Sequence, residues 1–502
     1  MKGIITVIFG FLLLSHNVFG QNGNIFHDRK FWKEKPSIEE IKVKIAEGNS
    51  PTELTEYNFD AIGYAILEKN PVETIAFLLE QGNDVNKLTH DARTYIFWAA
   101  YKGDLNLMKF LVKKGAQTDI VDQHGYTLFM FAAVTGQENQ EIYDYITSFG
   151  VEVRKEKDRK GRNALLAYVG ATETGEMLDY FLSQGLDINS VDKDGNGIFN
   201  HAAKTGNQKL LEKLRTEYKV STEKNLQTNE NAIFFASTRY SRSGEETDLA
   251  FYDYLESLGL DAAIVTKSGK TALHNLSFRT NNLEVYQYFM DKGVDLNRID
   301  EDGNNALINA ASRRNEEVIS MLIENTEDLD HQNKEGMTAF ARALKYNKLE
   351  IAKLFVESGA TTNLTDANGY DMGYHLVDGF RNIEAFKEKM SFLLSLGYDP
   401  TTKQKDGSTL LHAAINQESV HLLEWLLDQG LDINEVDGDG QTILHYAAMQ
   451  ADDEEILKYL VASGADRNLT TEFDESAFDL AGANEVLNDN NTDLNFLRGG
   501  EE

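Results

Sequence analysis

The stretch DINEVDGDGQTILHYAA, Asp432 to Ala448, carries the residue types of three different chemistries. Its acids and glycines, Asp437-Gly-Asp-Gly440, suggest a cation loop. The paired glycines suggest a phosphate cradle, and His445 suggests half of a catalytic or metal pair. Each reading fails on spacing. A calcium loop starting at Asp437 needs glycine at its sixth position and a bidentate acid at its twelfth. Those positions hold Thr442 and Ala448, and the loops starting at Asp192 and Asp300 reach Ala203 and Ala311 at the twelfth. Gly438-x-Gly440 and Gly195-x-Gly197 lack the third glycine of a dinucleotide fingerprint and its strand-to-helix setting. His274, His412 and His445 share one slot, five residues after a recurring loop tip, and the other histidines are scattered. There is no H-E-x-x-H and no G-x-S-x-G. The run Asp452-Asp453-Glu454-Glu455 precedes a helical segment, where acids favour the N-terminal dipole. No catalytic, cofactor-binding or metal-binding residue is assigned, and neither enzyme activity nor a cofactor is expected.

The elements that position these loops are read from composition and period. The chain has 502 residues, is 41% hydrophobic and contains four prolines, Pro36, Pro51, Pro71 and Pro400. That composition favours an uninterrupted, helical, folded structure over a disordered one. The formal net charge of −32 repels phosphate backbones, so nucleic acid is not an expected partner. A basic protein or bound cations suit such a surface better. There are no cysteines, which excludes disulfides and thiol chemistry. At the N-terminus, Lys2, the apolar run Gly3 to Leu14 and the small residues of VFG, Val18 to Gly20, read as a secretory signal peptide cleaved after Gly20. The apolar run is too short for a hydrocarbon core of ~30 Å. The mature chain is therefore expected to be soluble, with no membrane insertion, in the periplasm of a bacterium or secreted.

The opening loop recurs. Its tip is glycine at 125, 161, 195, 269, 303, 336, 369, 407 and 440. Asn229 and Ala92 fill the same slot, and Asp474 is a degenerate last tip. The period of ~33 residues is that of a stacked repeat array. Two residues after each tip stands a helix N-cap type: Thr94, Thr127, Asn163, Gly197, Asn231, Thr271, Asn305, Thr338, Asp371, Thr409 and Thr442. Four after the tip the residue is apolar except at Gly373, and seven after it alanine predominates. A second amphipathic segment follows, as in LNLMKFLVKKG or VHLLEWLLDQG, and ends on a glycine such as Gly115, Gly185, Gly359 or Gly430.

In these positions the chain resembles the ankyrin-repeat family. DGDGQTILHYAA, SGKTALHNL and DGSTLLHAA match the first half of such a unit, and LVASGADRN and LLEQGNDVN match the second. The proline of the family's T-P-L-H is missing throughout, which only removes a pre-set φ. The resemblance implies an all-α repeat solenoid of helix-turn-helix units with β-turn fingers, stacked in a curved array. It also implies that the shared histidines tie adjacent turns together by hydrogen bonds.

The expected organisation is a signal peptide at 1–20, an N-terminal cap at 21–57, an array of about twelve units at 58–469, and a degenerate capping repeat and tail at 470–502. Two units are long, with extra residues near Ser237 to Asp248 and near HLVDGFRNIEA, and both insertions are expected in loops. The residue after each tip should project from its finger toward the concave side. There stand Arg93, Tyr126, Arg162, Lys270, Met337 and Tyr370, the candidate protein-binding residues. The reading is an exported, non-enzymatic, monomeric scaffold presenting a concave surface to a protein partner. The resemblance also offers an accessory role for a periplasmic antioxidant enzyme such as catalase. An immunity-like inhibitor of a toxin is the other alternative.

Overall fold

The computed structural model describes residues 23–239, 249–490 and 492–499. The expected signal peptide at 1–20 lies outside them, as do most of the insertion at 240–248 and the last three residues. The chain divides into two compact units, Met1–Ser221 and Thr222–Glu502.

Each unit is built from short helical hairpins. In the first unit, helix Tyr95–Tyr101 packs between Ala61–Leu67 and Leu128–Val134, and its partner Leu105–Lys113 packs beside Val72–Glu80 and Gln140–Thr147. In the second unit, helix Ala339–Tyr346 lies between Ala306–Ala311 and Met372–Asp378. The first helix of a hairpin is enclosed on nearly every side: Tyr95, Ile96, Phe97, Trp98, Ala99 and Ala100 are all buried in succession. The second helix buries one stripe, as with Leu107, Met108 and Leu111. The repeated alanines, Ala99, Ala132, Ala310, Ala343 and Ala414 among them, are completely buried where neighbouring first helices meet. Fully burying a Leu or Phe contributes about 1.5–3 kcal/mol. A lone hairpin would leave most of that area in water, so stacking holds the fold.

All the N-caps expected from sequence are N-caps in the structure. Thr127, Asn163, Asn305 and Asp371, for example, accept from the backbone N–H three residues on. Every expected tip has positive φ, including Ala92, Asn229 and Asp474. A further turn of the same construction lies at Asn58, where φ is 57° and Asp60 caps helix Ala61–Leu67. The sequence reading had assigned no tip there.

Gly373, the break in the apolar slot, has a physical reason. A Cβ there would sit 1.9 Å from the hydroxyl of Tyr398, whose ring fills the space instead. The Tyr398 hydroxyl donates to both oxygens of the Asp371 cap, at 3.1 Å each. The extra residues after HLVDGF do not form a loop. They lengthen the second helix to Ile383–Ser395, which is 13 residues against 9 for Leu349–Glu357. Asn382 caps it and no Gly or Pro interrupts it, so the helix simply continues.

The ends are closed by different means. Helices Arg29–Lys33 and Ile38–Ala46 bury Phe26, Trp32 and Ile41 completely at the start of the first unit. In the second unit, Ala477–Ala483, Glu485–Asp489 and Asn495–Leu497 form a reduced last hairpin that buries Leu487 and Leu497.

Candidate protein-binding surface

The acids of the recurring loop are turn braces. At Gly125, the Asp122 N–H donates to Tyr126 O at 3.0 Å and the Gly125 N–H to Asp122 O at 2.9 Å. Asp122 Oδ1 then accepts from the N–H groups of His124 and Tyr126, at 2.9 Å each. Asp192, Asp300, Asp366 and Asp437 do the same in their own turns. Asn333 takes the role without charge. Successive turns are stitched to each other by backbone bonds: Glu301 N–H to Ser268 O (2.7 Å), Lys334 to Asp302 (2.9 Å), Ala367 to Glu335 (2.9 Å) and Gly438 to Asp406 (2.8 Å). The opening stretch is thus one link in a row of turns. Among the described residues no group of three or more His, Asp or Glu side chains gathers as metal ligands. No helix there is long and apolar enough to cross a membrane.

The shared histidines lock cap to turn. His274 Nδ1 accepts from the Thr271 N–H at 3.1 Å, which places the ring proton on Nε2, and Nε2 lies 3.1 Å from Asn304 O in the next turn. His412 repeats this with Thr409 and Gln441 O, and His445 with Thr442 and Leu469 O. Burial pushes the His274 and His412 pKa values down, against the opposing pull of nearby carboxylates and carbonyls.

Two histidines that look scattered in the sequence share another slot, six after the tip. His201 Nε2 lies 3.0 Å from Asp192 Oδ2. In the same slot Tyr446 donates to Asp437 at 2.7 Å and Trp98 to Thr89 at 2.8 Å. In these units a side chain of the first helix braces its own turn. His375 occupies this slot too, but its Nε2 stands 3.4 Å from Asp366 Oδ2, and neither ring nitrogen has a hydrogen-bond partner.

The six candidate residues have different fates. Arg93 is buried: its guanidinium bonds Asp91 at 2.7 Å and Asp122 at 2.8 Å and lies 4.5 Å from the Phe131 ring. Met337 is also buried. These two therefore do not stand free at the surface, because each side chain packs back onto its own stack. Tyr126, Arg162, Lys270 and Tyr370 are half-buried. Arg162 bonds Asp158 at 2.7 Å and approaches the Tyr126 hydroxyl at 3.4 Å. Lys270 lies 3.9 Å from Asp300, and Tyr370 donates to Asp406 at 2.8 Å. The residue after the tip therefore mostly bridges neighbouring turns.

Met337 and Tyr370 come together in one groove of about 750 Å³ in the second unit. It lies between the turns at Gly336 and Gly369 and the helices Ala339–Tyr346 and Met372–Asp378. Met337, His375 and the Asp366 carboxylate are its deepest members. Tyr370 and Tyr374 stack along it with centroids 3.9 Å apart and planes 8° from parallel. At the rim, Lys345 pairs with Asp378, Arg342 approaches Glu335 at 3.6 Å, and Tyr346 and Lys334 are exposed. Burial is the main force holding the His375 pKa down, with Asp366 acting against it. Asp366, Tyr374 and His375 were not singled out from sequence. The signal was present: His375 and His201 stand the same distance after a tip.

Comparison with known proteins supports the same architecture. The family model described as ankyrin repeats (3 copies) matches residues 62–157, 248–333, 281–366 and 383–471, together more than half of the chain. A Rickettsia felis protein described as an ankyrin repeat protein is 31% identical over 105 residues, 21% of this chain and 33% of its own length. An L-asparaginase of Dirofilaria immitis is 27% identical over 141 residues, 28% of this chain and 23% of its own. The chain thus spans a third or less of these curated relatives.

Proposed function

The chain belongs to the ankyrin-repeat family, and from that premise we propose that it is a non-enzymatic scaffold that binds another protein through its turns and first helices. One observation carries the reading. In the second unit the turns at Gly269, Gly303, Gly336 and Gly369 are joined backbone to backbone in succession, so side chains from separate repeats are held side by side there. A rigid row of this kind recognises an extended partner with little ordering cost. The loop acids that would be needed for catalysis are already spent on N–H groups of their own turns.

The partner is a basic protein, since a chain of net charge −32 attracts cations and repels polyanions. The scaffold works outside the cytoplasm, on the strength of the leader-like residues 1–20. Its duty is support or inhibition of an exported protein, and the charge favours a basic toxin over a catalase.

The test is in vivo cross-linking of the full chain followed by mass spectrometry of the mature protein. Expected are an N-terminus at Gln21 and one partner recovered at fixed stoichiometry, cross-linked to turn or first-helix residues. Turnover of a peptide, glycan or phosphoester by purified chain, abolished by one carboxylate substitution, would replace this reading with an enzyme.

A further inference from the structure

The groove between the Gly336 and Gly369 turns differs from the units whose first helix braces its own turn. In the units braced by His201, Tyr446 and Trp98, the side chain six after the tip closes onto its turn at 2.7–3.0 Å. At His375 the closure is missing. Both ring nitrogens are buried without a partner, although the residue is only 6% exposed. Asp366 Oδ1 is used by the N–H groups of Asn368 and Tyr370. Its Oδ2 faces the His375 Nε2 at 3.4 Å. A buried polar group left unpaired costs about 1–3 kcal/mol, so His375 beside this carboxylate asks for a donor from outside. Around it, Lys345 pairs with Asp378 and Arg342 lies 3.6 Å from Glu335, while the Asp366 side chain is 9% exposed beside His375. The stacked Tyr370 and Tyr374 supply an aromatic platform beside it.

We propose that this groove receives an arginine side chain of the partner protein, with Asp366 Oδ2 and a His375 nitrogen accepting its N–H groups and the Tyr374 ring lying against its plane. The assignment rests on the scaffold reading above. Arginine fits better than lysine because a planar fork of donors can bridge two acceptors 3.4 Å apart and stack on an aromatic ring as well. An anion is disfavoured by Asp366. Protonating His375 would supply Asp366 with an internal cation and compete with the guest. The other charged groups near this histidine are Lys345, Asp371 and Asp378. Of these, Lys345 is already paired and Asp371 is already bonded by the Tyr398 hydroxyl and the Tyr374 N–H.

The experiment titrates the mature full chain with acetyl-Gly-Arg-Gly-amide and with the matching citrulline and lysine peptides. His375 ring resonances and calorimetry are followed together. The expected order is arginine above lysine, with citrulline weaker than arginine by roughly tenfold, as charge-assisted bonds require. Asp366→Asn should lower arginine affinity by a similar factor and keep the turn, because Asn333 already braces the preceding turn in that role. Tyr374→Leu should weaken arginine without touching the brace, and it serves as the second variant if Asp366→Asn is misfolded by circular dichroism. Equal binding of arginine and citrulline peptides, or affinity unchanged in both variants, overturns the assignment. The cross-linked partner separates this claim from the scaffold reading. A partner held equally well by wild type and by both variants removes the arginine groove and leaves the scaffold. Absence of any partner for the wild type removes the scaffold itself.

Discussion

At the scale of single residues, the side chains most suggestive of chemistry are fasteners. His412 joins the N–H of Thr409 to the carbonyl of Gln441 in the next turn. Replacing it with leucine leaves a buried N–H without its acceptor, so His412→Leu should cost about 1–3 kcal/mol near pH 7. Burial lowers its folded pKa below the usual value of 6.5, so the folded state favours the neutral ring. The unfolded chain then binds more protons as pH falls through 6.5 toward the folded pKa, and the stability contributed by the ring is lost over that window. The gap between wild type and His412→Leu in denaturant unfolding, read by circular dichroism, should narrow from pH 7 to pH 5. A gap that widens would mean the ring is charged in the fold. Arg93 teaches the same lesson in the first unit. Truncating it leaves Asp122 buried without its cation, so Arg93→Ala should destabilise by about 3–5 kcal/mol. Any loss of binding in that variant would report unfolding, which equilibrium denaturation would reveal.

At the scale of elements, the turn and the helix end both use left-handed glycines, but their surroundings differ. Gly336 has φ of 76°, and a Cβ there would stand 2.2 Å from the backbone nitrogen of Ala367 in the next turn. Gly359, after helix Leu349–Glu357, has φ of 93° and open space around it. Gly359→Ala should therefore cost only the backbone term, about 1–2 kcal/mol. Gly336→Ala should add about 1–3 kcal/mol more, because it pushes apart the turn-to-turn stitch. Paired denaturation curves check this, and equal costs would show that the stitch contributes nothing. At Gly336 the stitch leaves no room for a Cβ. At Gly359 the helix end needs glycine only for its dihedral.

At the scale of the whole molecule, charge dominates. With 81 acids against 49 lysines and arginines, self-repulsion opposes compaction. Most of the ion pairs are at least partly exposed, as with Lys42–Glu39 and Lys155–Glu152, and contribute little. Screening should therefore help more than it hurts. The thermal midpoint should rise between 10 mM and 150 mM sodium chloride, where the Debye length shrinks from about 30 Å to about 8 Å. A midpoint that falls would show that attractive pairs outweigh the net repulsion. The same field makes association with a basic partner faster at low salt, measurable as an association rate that drops as salt is added.

Much of this was legible in the chain. The period fixed the hairpins, the N-cap types fixed where first helices begin, and even Ala92 and Asn229 were correctly placed at tips, because the backbone conformation at a tip is a local matter. The tip at Asn58 was missed, since the first hairpin has no earlier repeat before it to set the register. What sequence could not decide is where side chains go once repeats stack. Arg93, Tyr370 and Lys270 share a slot and each reaches an aspartate of the next turn, yet Arg93 is buried and the other two are half-buried, an outcome set by how the stacked repeats pack around each side chain. His375 and His201 likewise share a slot, and only packing leaves one of them open to a groove. Local conformation is written in short-range pattern. Contacts between repeats about 33 residues apart are settled only when tertiary structure brings the two partners together.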